Sequence, residues 1–261
     1  MIEIIKTDKD VIFNHGSSYE SRGVTFEKLV RDSLDKYPVD NEFRITVGMS
    51  DRKSGRDYDF HTDCKDYDKC FPDPFFDSWP ETGMHDYSDL VKSFVNSEPK
   101  KNKIGWVGNK WTHPDRTEAF AKALDIDCCD FREIAWVRDG EDYSKVTSGY
   151  MSYQDQIDEW KYLIDLPANG WSGRTKVLMS SPRILFIVEQ EYEEFWHKEL
   201  EPWKHYVPVK RDISDLEENY NKIESDPALQ EYIKKNQREF AEKHLTRESA
   251  LLQINKILKT L

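Results

Sequence analysis

Short apolar runs alternate along the chain with amphipathic stretches. DVIFN (10–14) and FRITVG (43–48) have the composition of strands, and between them TFEKLVRDSLDKY places Phe26, Leu29, Val30 and Leu34 on one helical face. This predicts a β-α-β opening. From Gly48 to about Ser88 the chain is polar, rich in Asp and interrupted by Pro, with an aromatic cluster in CFPDPFFDSWPETG. Long irregular segments of this kind are uncommon in compact domains unless they carry function. A helical stretch, SDLVKSFVNS, then runs into the basic link EPKKNK, which sets a domain boundary near residue 100.

The second half is more regular. KIGWVG (103–108) predicts a strand, NKWTHPDR a loop and TEAFAKAL a helix. Ser152 is placed to cap SYQDQIDEWK, which leads into the strand KYLIDL. RILFIV is apolar throughout and predicts a strand buried on both faces. EQEYEEFWHKEL reads as a helix and HYVPV as a strand; Ser214 and Glu217 have capping-box spacing, and Asp226–Pro227 opens a further helix. A last helix carries Leu251, Ile254, Leu258 and Leu261 on one stripe, which requires a partner surface. There is no internal repeat. Strand–helix alternation of this kind makes the chain α/β, with a parallel sheet covered by helices on both sides.

Composition narrows the function. The chain has 261 residues, 38% apolar and 34% charged, with eight Trp, thirteen Tyr and thirteen Phe, enough to build real cores. Its formal net charge of −12 argues against nucleic acid as the main partner, because phosphate backbones are met by basic excess. The start, MIEIIKTDKDVIFNHG, lacks the pattern of a signal peptide, and no run approaches the ~20 apolar residues of a membrane span. The expectation is a cytoplasmic protein with its four cysteines reduced. His61, Cys64 and Cys70 match no common zinc spacing, so no metal site is expected.

The richest local signal is NGWSGRTK (169–176), between KYLIDL and RILFIV. In parallel sheets, ligands bind beyond the carboxyl ends of the strands, where this segment lies. Gly170 and Gly173 permit close backbone approach and unusual dihedrals. Ser172 is a good N-cap for a helix whose free N–H groups would face an anion. Arg174 offers a fork of donors and Lys176 a point charge. A phosphate is the guest this arrangement suits, although spacing alone fits a plain turn with solvated cations equally well.

At this point the sequence resembles glycosyltransferase family 90, which contains the protein O-glucosyltransferases and the fungal capsule-associated xylosyltransferases. The resemblance rests on Lys161, Tyr162, Leu163, Ser172, Arg174, Leu178 and Ser181. It continues through Glu194, Phe195, Leu200, Pro202, Trp203, His205, Tyr206, Pro208 and Asp212 without an obvious gap. Upstream, WVGNKWTHPDR is similar to the family segment F-R-G-S-x-T-S-P-x-R, with Gly108, Thr112, Pro114 and Arg116 in place and Val107 where the family has arginine. The resemblance implies a GT-B fold, two Rossmann-like domains facing across a cleft, here with a reduced N-terminal domain. The division it implies is 1–99 for the acceptor side, 100–236 for the UDP-sugar side, and a C-terminal helix, 237–261, packing back on the first. It also implies a UDP-sugar co-substrate, inversion at the anomeric carbon, a glycan or protein hydroxyl as acceptor, and no cofactor or essential metal.

Inverting transfer needs a base for the acceptor hydroxyl and positive groups for the departing UDP. Under this resemblance Arg174 meets the leaving group, helped by Ser172, Gly173, Lys176 and Arg116, with Gly108 and Thr112 in the neighbouring loop. Asp51, just beyond FRITVGMS, is the expected base; Asp59, Asp63 and His61 are alternatives, and a loop Asp is often only a solvated cap. Trp171, Trp79, Phe75 and Phe76 are candidates for stacking on sugar or uracil, set against ordinary core packing. Glu194 could bind ribose hydroxyls or be an exposed helix residue. The rival function is a non-catalytic sugar-nucleotide or glycan-binding protein derived from a transferase, and turnover would separate the two.

Overall fold

The computed structural model describes residues 1–16, 20–51, 54–139 and 142–261. In chain order its elements are β1 (Ile2–Lys6), β2 (Val11–His15), α1 (Glu20–Lys36), β3 (Phe43–Val47), α2 (Tyr87–Lys92), β4 (Lys101–Gly108) and α3 (Pro114–Ala123). There follow β5 (Cys129–Glu133), β6 (Ala135–Asp139), β7 (Asp142–Ser148), α4 (Tyr153–Glu159), β8 (Trp160–Asp165), α5 (Thr175–Met179) and β9 (Ile184–Val188). The chain ends with β10 (Val207–Val209), α6 (Leu216–Ser225), α7 (Pro227–His244) and α8 (Arg247–Leu258). Short 3₁₀ turns occupy much of the aspartate-rich region, at Tyr67–Lys69, Pro74–Phe76 and Pro80–Thr82. The chain forms a mixed α/β structure of two compact units. One comprises Met1–Leu90, Glu191–Glu199 and Lys243–Leu261, the other Val91–Gln190 and Leu200–Glu242.

The first unit departs from a Rossmann-like opening. Its sheet is antiparallel, in the order β2-β1-β3, so β2 and β3 run the same way but are separated by β1. The alternation in IEIIK puts Ile2 and Ile4 fully into the core, which makes this terminal segment the central strand. On α1, Phe26, Leu29 and Val30 are fully buried as their periodicity predicts, and Phe26 meets Phe60 and Phe71 edge-on at 5.3 and 5.5 Å. The buried stripe continues at Ser33, whose hydroxyl donates to the Leu251 carbonyl of α8 at 2.8 Å. The leucine stripe of α8 therefore finds its surface on α1, with Leu251, Ile254 and Leu258 buried and Leu261 beyond the helix end. Asp77 ties this unit further, accepting from Lys28 at 2.7 Å and from Arg247 at 2.9 Å.

Glu191–Glu199, which the sequence pattern makes helical and places in the second domain, belongs to the first unit. Two backbone hydrogen bonds join Glu193 to Thr62, at 2.8 and 2.9 Å, and Phe195 lies 5.7 Å from Phe76. Extended pairing uses the backbone groups a helix would need, and only the 3₁₀ turn Phe195–Glu199 remains.

The second unit holds the parallel sheet, five strands in the order β10-β9-β8-β4-β5. All five residues of β9 are buried, as an unalternating apolar run requires. β6 and β7 form a separate antiparallel pair. A Cβ on Gly105 of β4 would stand 1.8 Å from the Trp160 ring, so only glycine lets that indole cross the strand. On α7 the buried amide of Gln237 accepts from Leu185 N–H at 3.0 Å and donates to the carbonyls of Arg183 and Met179 at 2.8 and 3.1 Å. Asp226 caps the same helix through Leu229 N–H at 2.9 Å. The predicted Ser214–Glu217 box does not form: the α6 cap is Asp215, which uses its carboxylate on Lys210 N–H. All four cysteines are free thiols. Among the described residues no helix is long and apolar enough to cross a membrane.

An ionic cluster closes the amino end of this sheet. Asp130 accepts from Lys101 and Arg132 at 2.8 Å each and from the Trp160 indole N–H at 2.8 Å. Burial raises its pKa, but the hydrogen bonds from Arg132, Lys101 and Trp160 outweigh burial and leave the carboxyl well below the usual carboxylate range. A depressed acid stabilises the fold above its unfolded pKa, about 3.9, and that contribution fades as pH falls toward the folded value. Asp130→Asn is therefore expected to lower the urea midpoint at pH 7, with the gap from wild type shrinking as pH drops below about 4. A gap that stays constant from pH 7 to pH 3 would show that the carboxylate charge contributes nothing.

Candidate active site

Strand order locates the crevice of the second unit. From β4 the chain moves outward to β5, then returns to β8 on the other flank of β4 and continues to β9. Right-handed crossovers put α3 and α5 on opposite faces of the sheet, so the loops leaving β4 and β8 diverge. That is the topological switch point, where open parallel sheets bind ligands. The segments there are 108–113 and 166–174.

On the β4 side, a Cβ on Gly108 would meet the Trp106 ring at 2.7 Å, so the chain turns here only without a side chain. Asn109 caps the short turn Lys110–Thr112 through Trp111 N–H at 2.9 Å, and Thr112 donates its hydroxyl to the Asn109 carbonyl at 3.1 Å. Trp111 is 69% exposed, with its indole N–H held by Glu133 at 3.1 Å. Arg116, on α3, is buried and donates to three carbonyls: Pro167 at 2.9 Å, Leu166 at 3.3 Å and Asn109 at 3.3 Å. It thereby joins the two crevice loops. Burial draws its pKa down to about 10, Asp165 acts against that and Arg174 adds to it. Val107, standing where the family arginine is expected, is buried, and its carbonyl accepts from Arg174 at 2.7 Å.

On the β8 side the centre is Asp165, the last strand residue, with no solvent exposure. It accepts from Ser172 Oγ at 3.0 Å, from Thr175 Oγ1 at 2.5 Å and from Gln190 Nε2 at 3.2 Å, and Arg174 Nε lies 3.6 Å away. Ser172 is thus not an N-cap. Its hydroxyl is taken by Asp165, and α5 begins at Thr175 after Arg174. Gly170 and Gly173 are absent from the positive-φ residues, which among the described glycines are Gly55, Gly83 and Gly149, so neither uses left-handed geometry. Trp171 is 5% exposed and Lys176 fully buried, while Arg174 keeps part of its side chain accessible.

The second unit therefore brings together Gly108, Thr112, Arg116, Trp171, Ser172, Gly173, Arg174 and Lys176. Asp51 and Glu194 are carried by the first unit. Asp51 follows β3, is partly exposed, and pairs with Arg22 Nη1 at 2.5 Å. Asp59 is bonded on both oxygens by Ser54, at 2.7 and 3.2 Å, which makes it a brace of its own loop. Asp63 is exposed. His61 is buried, edge-on to Tyr192 at 4.7 Å. Glu194 is buried rather than exposed on a helix, its N–H donating to His197 Nδ1 at 2.9 Å. Phe75 stacks flat on Trp79, with centroids 3.8 Å apart. Nothing local in the sequence marks Gln190, and the signal for Asp165 is a charge closing the apolar run Leu163–Ile164 at the end of β8.

The sequence model of glycosyl transferase family 90 matches residues 55–260. Protein O-glucosyltransferase 1 of Rattus norvegicus is 34% identical over 162 residues, covering 60% of this chain and 41% of that one. The same-named protein of Homo sapiens is 26% identical over 162 residues with the same coverage. O-glucosyltransferase rumi of Drosophila pseudoobscura pseudoobscura is 30% identical over 115 residues, covering 43% and 28%. The chain thus spans about two fifths of the length of the first of these relatives. Among solved structures, the C-terminal domain of a glycosyl transferase group 1 family protein from Francisella tularensis aligns with 60% of this chain and 97% of its own, at 12% identity and a TM-score of 0.41. With the family match running through both crevice loops and on to the last helix, the chain belongs to glycosyl transferase family 90.

Proposed function

We propose that the chain is an inverting glycosyltransferase of GT-B type that uses a UDP-sugar, and that its second unit holds the diphosphate. The observation that carries this reading is Arg174 at the switch point, pinned to the Val107 carbonyl through Nη1 and facing Asp165 through Nε, with part of its side chain still accessible to an anion. The relatives named as O-glucosyltransferases make glucose the first donor to test, with xylose next. The acceptor is a hydroxyl of a glycan or protein.

In this reading the acceptor oxygen attacks the anomeric carbon and the bond from that carbon to the diphosphate oxygen breaks. The acceptor proton passes to Asp51, and the electron pair leaves with UDP. Arg174 stabilises the charge growing on the diphosphate, where a preorganised donor outperforms water. Arg116 contributes from behind by fixing both loops.

The test is a panel of UDP-sugars with UDP release and product followed together. Acceptor-dependent release supports transfer, release without acceptor indicates a hydrolase, and binding without release indicates the non-catalytic protein. Because a guanidinium serves the leaving group, EDTA is expected to leave turnover unchanged. Loss of turnover in EDTA, restored by manganese, would overturn metal independence.

A further inference from the structure

A fully buried carboxylate inside an anion site opposes its own ligand, so Asp165 needs a reason to be there. The side chains around it come from three places: Ser172 and Arg174 from the loop, Thr175 from the start of α5, and Gln190 from beyond β9. Beside it, Arg116 and Arg174 both lie against Trp106, their guanidinium carbons 5.7 and 6.0 Å from the ring centroid. Two like charges on one indole repel, and Asp165, which lies 3.6 Å from Arg174 and acts electrostatically on Arg116, offsets that repulsion. Arg174 is held on two sides, by the Val107 carbonyl at 2.7 Å and by Asp165 at 3.6 Å.

We infer that Asp165 is the positioning residue of the donor site: it fixes the loop and the direction of the Arg174 fork before the diphosphate arrives, acting through Arg174 without touching the donor. This inference rests on the sugar-nucleotide reading. A side chain held in its binding geometry loses less freedom on association, so the clamp appears as affinity. Asn in its place keeps an acceptor for Thr175 and Gln190 when its amide nitrogen takes the side of Ser172, whose hydroxyl can accept. It gives up the charge facing Arg174 but no longer repels the ligand, so the two effects largely offset.

The experiment is UDP calorimetry on wild type, Asp165→Ala, Asp165→Asn, Arg174→Ala and the double alanine variant, each with a thermal melt. Asp165→Ala is expected to weaken UDP about tenfold and to cost nothing further once Arg174 is alanine, the coupling expected of neighbours in one network. Asp165→Asn should stay within about threefold of wild type, a difference near 0.65 kcal/mol. A lowered melt with unchanged UDP affinity, or losses that add, would overturn the inference and leave Asp165 a structural residue. If Asp165→Ala does not fold, Thr175→Val, which removes one partner of the carboxylate, takes its place in the same cycle; a smaller loss that vanishes beside Arg174→Ala supports the clamp, and an additive one overturns it. No UDP binding by wild type overturns the sugar-nucleotide reading itself, whereas wild-type binding with additive losses overturns only the role given to Asp165.

Discussion

Asp51→Asn is expected to leave UDP affinity at the wild-type value while lowering sugar transfer by ~10²–10⁴-fold, the usual contribution of a positioned general base. The argument is chemical. A base takes a proton only while the acceptor oxygen is bonding to the anomeric carbon, so its loss acts on kcat rather than on donor binding. An asparagine can keep the hydrogen bond from Arg22 but cannot take up the proton. Arg22 also donates to the Met49 carbonyl at 3.3 Å, which anchors the loop whatever stands at position 51. Steady-state kinetics with UDP calorimetry on one preparation separates the two effects. Azide, an acceptor with no proton to remove, should recover part of the lost rate. Transfer at a near wild-type rate would place the base elsewhere, and Asp63 would come next, since Asp59 already serves Ser54 with both oxygens.

The parts of the fold that were legible in the sequence are those whose local and global demands agree. The unalternating run at 183–188 could satisfy its apolar residues only between helices, and Asp226–Pro227 could start a helix whatever surrounded it. The parts that were not legible depend on partners far along the chain. IEIIK is short and terminal, and becomes the central strand only because β2 and β3 both pair with it. EQEYEEFWHKEL has helical composition, yet Glu193 pairs with Thr62 instead. The site shows the same division. The place of Arg174 at the end of the loop after β8 was legible, since it stands between Gly173 and a helix start. Ser172 was misread because the competitor for its hydroxyl, Asp165, stands seven residues earlier and approaches only when the loop closes. For Glu194 an exposed helix position stood as the alternative to ribose binding because nothing local announces that its segment leaves one unit for the other.

Arg174→Ala is expected to damage both donor binding and turnover. In the proposed reading the guanidinium meets a diphosphate whose charge grows as the glycosidic bond breaks, so the interaction would be stronger in the transition state than in the ground state and its loss would lower kcat as well as affinity. A charge-assisted contact contributes about 1.5–3 kcal/mol, so UDP binding should weaken by roughly 10–150-fold. The variant also leaves the Val107 carbonyl without its 2.7 Å donor and removes the cation facing buried Asp165, so a modest fall in melting temperature accompanies it. That fall alone would not prove a ligand contact, which is why the lysine variant is needed. Lysine restores a positive charge near Asp165 but presents a single ammonium where, in the proposed reading, one planar fork would reach the diphosphate and the Val107 carbonyl together. Arg174→Lys should therefore recover the melt more fully than it recovers UDP affinity, and recover affinity more fully than kcat. Calorimetry, melts and kinetics on the same variants read all three. Unchanged UDP affinity in Arg174→Ala would mean that NGWSGRTK is an ordinary turn, and the donor site would have to lie elsewhere in the chain.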